Sequence, residues 1–142
     1  MLQTKVNTDL LPKDARLLPS EGQEQAALFS WAELEMKRGR YPELRMMFHV
    51  PNGGGRSKAE AGRFKAEGVK AGVPDIFLPV PRGKYHGMFI EMKKRMGGKV
   101  SAEQKVWISE LNEQGYYAVV ACGWDEASNY IKDYLDIGIA AN

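Results

Sequence analysis

The sequence predicts a mixed α/β protein, a mixed sheet flanked by helices. Two observations carry that expectation. Ser20 with Gln23, and Ser101 with Gln104, have the spacing of a capping box. In that box a serine hydroxyl and a glutamine amide satisfy backbone groups at a helix start. Between and after these starts lie short apolar runs bounded by glycine, proline and charge, the length of core strands. The predicted order is α-β-α-β-β-α-β-α.

Residues 1–19 show no sustained periodicity and contain Pro12 and Pro19, so they read as an arm or loop ahead of a single domain over 20–142. The first helix runs from Ser20 to about Gly39, with Ala27, Leu28, Trp31 and Leu34 as its apolar stripe. RMMFHV, 45–50, reads as a short strand, and NGGGR, 52–56, as a glycine loop. A helix over 57–67 stops at Gly68. Asp75–Val80 and His86–Lys94 form an antiparallel hairpin around a turn at 82–84. The second capped helix runs from Ser101 to about Gln114 and ends at Gly115. YYAVVAC, 116–122, is a buried strand, and a last helix covers about 124–135.

The chain has 142 residues, 44% hydrophobic and 27% charged, which reads as one soluble domain without internal repeats. No apolar run approaches the roughly 18 residues of a membrane span, and the N-terminus lacks the apolar core of a secretory signal. The single cysteine, Cys122, suits a reducing cytoplasm. Neither CxxC nor HxxxH occurs, so no structural zinc site is expected. Net charge is only +2, but residues 56–105 hold 12 basic and 5 acidic side chains, while residues 106–142 hold 1 and 6. The basic block suits a polyanion such as nucleic acid; a solvated lysine-rich face is the alternative.

The strands inside that block carry charge where a core strand should not. Alternation puts Met88, Ile90 and Met92 on one face, and Phe89, Glu91 and Lys93 on the other. The hairpin can bring Asp75 alongside Glu91. Two carboxylates about 5 Å apart repel by roughly 3 kcal/mol at an effective dielectric near 20, and a divalent cation reverses that sign. Glu24 precedes Ala27, Leu28 and Trp31 by three, four and seven residues, so it faces inward. Gln104 stands likewise to Trp107, Ile108 and Leu111. Each also has a plainer reading. Asp75 could be a turn residue after Pro74, Glu91 and Lys93 an exposed sheet face, and Glu24 and Gln104 helix-end side chains.

G72-V-P-D75 followed by I90-E91-M-K93 resembles the PD-(D/E)xK nuclease motif. With E24-x6-W31, H49-V-P-N52-G-G, F89-I-E91-M-K93 and S101-A-E-Q104-K-V-W107, the chain resembles the VRR-NUC domain over about residues 20–122, in its stand-alone phage or bacterial form. The resemblance implies a restriction-endonuclease-like core and a divalent-metal phosphodiesterase using Mg²⁺ or Mn²⁺. Asp75 and Glu91 would be metal ligands, joined by the Met92 carbonyl. Lys93 would be the catalytic lysine, and Glu24 and Gln104 supporting active-site residues. One metal or two is left open. Lys93 acts either as base or as a charged group stabilising the transition state, and two carboxylates beside it favour the charged form.

Candidate phosphate contacts are Arg56, Lys58, Arg63, Lys65, Lys70, Arg82, Lys84, Lys94, Arg95 and Lys99, with the loop that begins at Asn52 as either an anion-binding turn or a plain one. His49 reads as a strand histidine near the core rim more than as a site residue. The expected partner is DNA, branched for preference, and the expected assembly a homodimer through Leu10, Leu11, Leu17 and Leu18. Stand-alone members of the family are associated with dimeric four-way-junction resolution. A flap or duplex nuclease, a DNA-binding module that kept the fold, and an assembly protein with a basic face are the competing readings.

Overall fold

The structure, a computed structural model, describes residues 17–51 and 57–138. Its elements are α1 (Glu21–Lys37), a 3₁₀ turn (Pro42–Met46), β1 (Phe48–His49), α2 (Lys58–Ala66), β2 (Ile76–Leu78), β3 (Met88–Lys93), α3 (Ala102–Glu113), β4 (Tyr117–Cys122) and α4 (Trp124–Leu135). Both expected capping boxes form: the Ser20 and Ser101 hydroxyls accept from the backbone of Gln23 and Gln104, whose amide oxygens accept in return.

The sheet order is β1-β2-β3-β4. β1, β2 and β3 pair antiparallel, and β4 joins β3 in parallel after the α3 crossover. Ile76 is the partner of Ile90. Met88, Ile90 and Met92 are fully buried, as the alternation required, and pack in one cluster with Leu28 and Ala32 of α1 and Ala127 and Ile131 of α4. On the other face Phe77 stacks on Phe89, with ring centroids 4.3 Å apart. α3 lies against that face, since Gln104 in its first turn reaches Glu91.

Two local expectations change. The strand expected over 45–50 shrinks to Phe48–His49, because Pro42 opens a 3₁₀ turn that buries Leu44 and leads to the buried Met47. Their spacing of three is the period of that helix. The hairpin strands are also shorter than expected, β2 ending at Leu78 and β3 starting at Met88, while the expected turn at 82–84 forms within the connection. The connection carries an isolated bridge between Arg82 and Tyr85. The Arg82 guanidinium turns inward to the Leu135 and Pro81 carbonyls and to Glu43. Arg82 is thereby 8% exposed and is withdrawn from the candidate phosphate contacts. Buried like this, it needs all three acceptors.

Candidate active site

Asp75 sits immediately before β2, and the antiparallel register places it beside the end of β3. Its Oδ2 accepts a hydrogen bond of 2.8 Å from the Met92 amide. A strand residue turns its N–H and C=O to the same edge. The Met92 carbonyl therefore leaves β3 on the side of Asp75. The approach to Asp75 depends on Gly72, which has φ +90°. A Cβ there would lie 2.7 Å from Glu103 Cβ, so only glycine lets this loop pass the start of α3.

Glu91 is 1% exposed. Its Oε1 accepts from Gln104 Nε2 at 2.7 Å and lies 3.5 Å from Lys93 Nζ. Among the described residues its Oε2 has no hydrogen-bond partner. Burial, then the charge of Asp75, pushes the Glu91 carboxyl up to about 7, against the opposing pull of Lys93. Lys93 itself is 6% exposed. The charged face of β3 is therefore enclosed, not a solvated sheet surface.

A third carboxylate, Glu21 in the first turn of α1, completes the group. Oxygens of Glu21, Asp75 and Glu91 all lie within 4.8 Å of one another. For the Asp75–Glu91 pair this distance corresponds to roughly 3 kcal/mol of repulsion at an effective dielectric of 20. A buried carboxylate oxygen without a donor, beside two further carboxylates, fits a hard divalent cation that takes oxygen ligands. Sequence reasoning missed Glu21. The available signal was its position three residues before Glu24, which puts both on one helix face.

Glu24, expected beside the site, is fully buried but bonded elsewhere, to Arg95 and to the Trp124 amide. His49 is exposed, and its Nδ1 lies 2.8 Å from the Asp75 carbonyl oxygen. That contact helps place the Asp75 backbone. Lys58, Arg63, Lys65, Lys70, Lys84, Lys94 and Lys99 are exposed. Arg95 is bound to Glu24 and Asp125. Asn52 and Arg56 lie outside the described residues, as do Leu10 and Leu11.

The VRR-NUC domain family matches residues 19–124. The chain belongs to the VRR-NUC family. A solved structure described as a VRR_NUC domain protein is 34% identical to it, with a TM-score of 0.73, over 86% of this chain and 93% of that one. No curated protein matches. VRR-NUC membership implies a nuclease of the PD-(D/E)xK type, with DNA as substrate. Among the described residues no helix is long and apolar enough to cross a membrane.

Proposed function

We propose that this VRR-NUC protein is a divalent-metal-dependent DNA endonuclease that hydrolyses phosphodiester bonds. Glu21, Asp75, Glu91 and the Met92 carbonyl would hold Mg²⁺ or Mn²⁺. The observation that carries this is the buried Glu91 carboxylate, which has an unpartnered Oε2 among the described residues and lies within 4.8 Å of two more carboxylates. When bound, the cation supplies Lewis-acid polarisation of a phosphate oxygen and acidifies a water. Lys93, held 3.5 Å from Glu91, would supply a cationic donor beside the metal ligands and offset negative charge building on the phosphate. Gln104 keeps Glu91 in its rotamer. Lys94, directly after β3, and Lys99, in the link to α3, are exposed and would contact flanking phosphates.

The substrate we propose is a four-way junction, nicked on opposing strands by a homodimer. One site cuts one strand, and a two-fold dimer presents two at fixed separation. No base-reading module is recognisable among the described residues, so selectivity has to come from DNA shape and phosphate positions. The proposed interface is the set Leu10, Leu11, Leu17 and Leu18, of which Leu17 is 84% exposed.

A panel of four-way junction, flap and matched duplex, cut with Mg²⁺ or Mn²⁺ and with chelator, tests this. Cleavage should need the cation, vanish in Asp75→Asn, and be fastest on the junction; sedimentation should report a dimer. Equal rates on all three DNAs by a monomer would end the resolvase reading and leave the metal nuclease. DNA binding without cleavage under any cation would leave a binding module.

A further inference from the structure

Glu24 lies one helical turn after Glu21 and is completely buried, yet it takes no part in the carboxylate cluster. Both its oxygens are used. Oε1 accepts from Arg95 Nε at 2.9 Å, and Oε2 accepts from the Trp124 backbone amide at 2.6 Å. Arg95 reaches on to Asp125 through Nη1 at 2.9 Å. The arm lies over Gly123, at φ +93°, where a Cβ would come 3.1 Å from Arg95 Cγ and 3.0 Å from Asp125 Oδ1. One carboxylate thus ties the first turns of α1 and α4 to the segment that leaves β3. Glu21, by contrast, is exposed, and among the described residues its side chain has no hydrogen bond or ion pair. Among the described residues, its place at the cluster comes through the helix.

We infer that Glu24 is a positioning residue. Through its bonds to Arg95 and the Trp124 amide it fixes the N-terminal turn of α1, and so holds Glu21 at the Asp75–Glu91 pair. This rests on the metal-site reading proposed above. Partners that orient a ligand without touching the metal typically change affinity 10–100-fold when removed. Glu24→Gln keeps the shape and an acceptor for Trp124 but offers Arg95 a donor, so the arm comes loose.

The test is Mn²⁺ binding to the full-length, DNA-free protein by titration calorimetry. Glu24→Gln should weaken Mn²⁺ about 10-fold or more. The same change in a Glu21→Ala background should alter affinity by less than about twofold, because the residue it positions is gone. An equal loss in both backgrounds, or none in either, overturns the proposal; a purely structural role would give the first. Asp125→Asn, at an exposed position that leaves the core untouched, repeats the comparison if Glu24→Gln does not fold. It should weaken Mn²⁺ in the native background only. A native protein that binds no Mn²⁺ overturns the metal reading together with this one. Binding that is lost in Asp75→Asn but unchanged in Glu24→Gln overturns the positioning role alone.

Discussion

Glu91→Gln should make the metal-free protein less sensitive than the native one to a rise in pH. The Glu91 carboxyl titrates at about 7 in the fold, chiefly through burial and then through Asp75, against about 4.5 as its ordinary value. The folded state therefore binds a proton that the unfolded chain has released between those limits. Stability contributed by this group is full below about pH 4.5, falls as pH rises, and is gone above about pH 7. A gap of roughly 2.5 units at 1.36 kcal/mol each is roughly 3 kcal/mol. Groups remote from Glu91 titrate in both proteins and cancel in the difference; Asp75 and Lys93, which act on Glu91 directly, respond to the substitution as part of the same cluster. The stability of Glu91→Gln relative to native should thus improve by roughly 3 kcal/mol between pH 4.5 and pH 8.5, read from urea denaturation in chelator. Adding Mn²⁺ at pH 8.5 should stabilise the native protein and leave the variant nearly unmoved. A difference that stays flat with pH would mean that Glu91 ionises normally, and the enclosed-carboxylate argument for a cation site would fail.

Lys93→Ala should bind DNA in chelator nearly as well as native protein but cleave about 10²–10³-fold more slowly; matched losses in binding and cutting would make it a phosphate anchor instead. Exchanging Lys94 and Lys99 together for glutamine should reduce the slope of log affinity against log salt by about 2, at roughly 0.9 per phosphate contact. An unchanged slope would route the DNA over another face. Gln104→Ala removes the reciprocal half of the α3 capping box and the 2.7 Å bond to Glu91. It should cost about 1 kcal/mol in urea denaturation, and an unaltered midpoint would show that solvent replaces both bonds.

Much of this molecule was legible before any coordinates because its signals are local. A serine three residues before a glutamine starts a helix through bonds within one turn, and α1 and α3 begin where Ser20 and Ser101 place them. Period-two alternation over 88–93 separated the buried Met88, Ile90 and Met92 from Glu91 and Lys93. The hairpin spacing then brought Asp75 to the same end of the sheet. What stayed hidden depends on how elements dock. Glu21 and Glu24 share a face of α1, one turn apart, and nothing in a helix's own sequence says how far it slides along the sheet. Docking put Glu21 at the Asp75–Glu91 pair and Glu24 under Arg95, the reverse of the expected emphasis. Arg82 looked like any surface arginine in a basic block. Only the meeting of the 3₁₀ turn, the β2–β3 connection and the end of α4 supplied the Glu43 carboxylate and the Leu135 carbonyl that keep its charge buried. The chemistry of each side chain was written in the chain, but the partner that decides its use came from elements 39 to 100 residues away in sequence, through packing that no local pattern encodes.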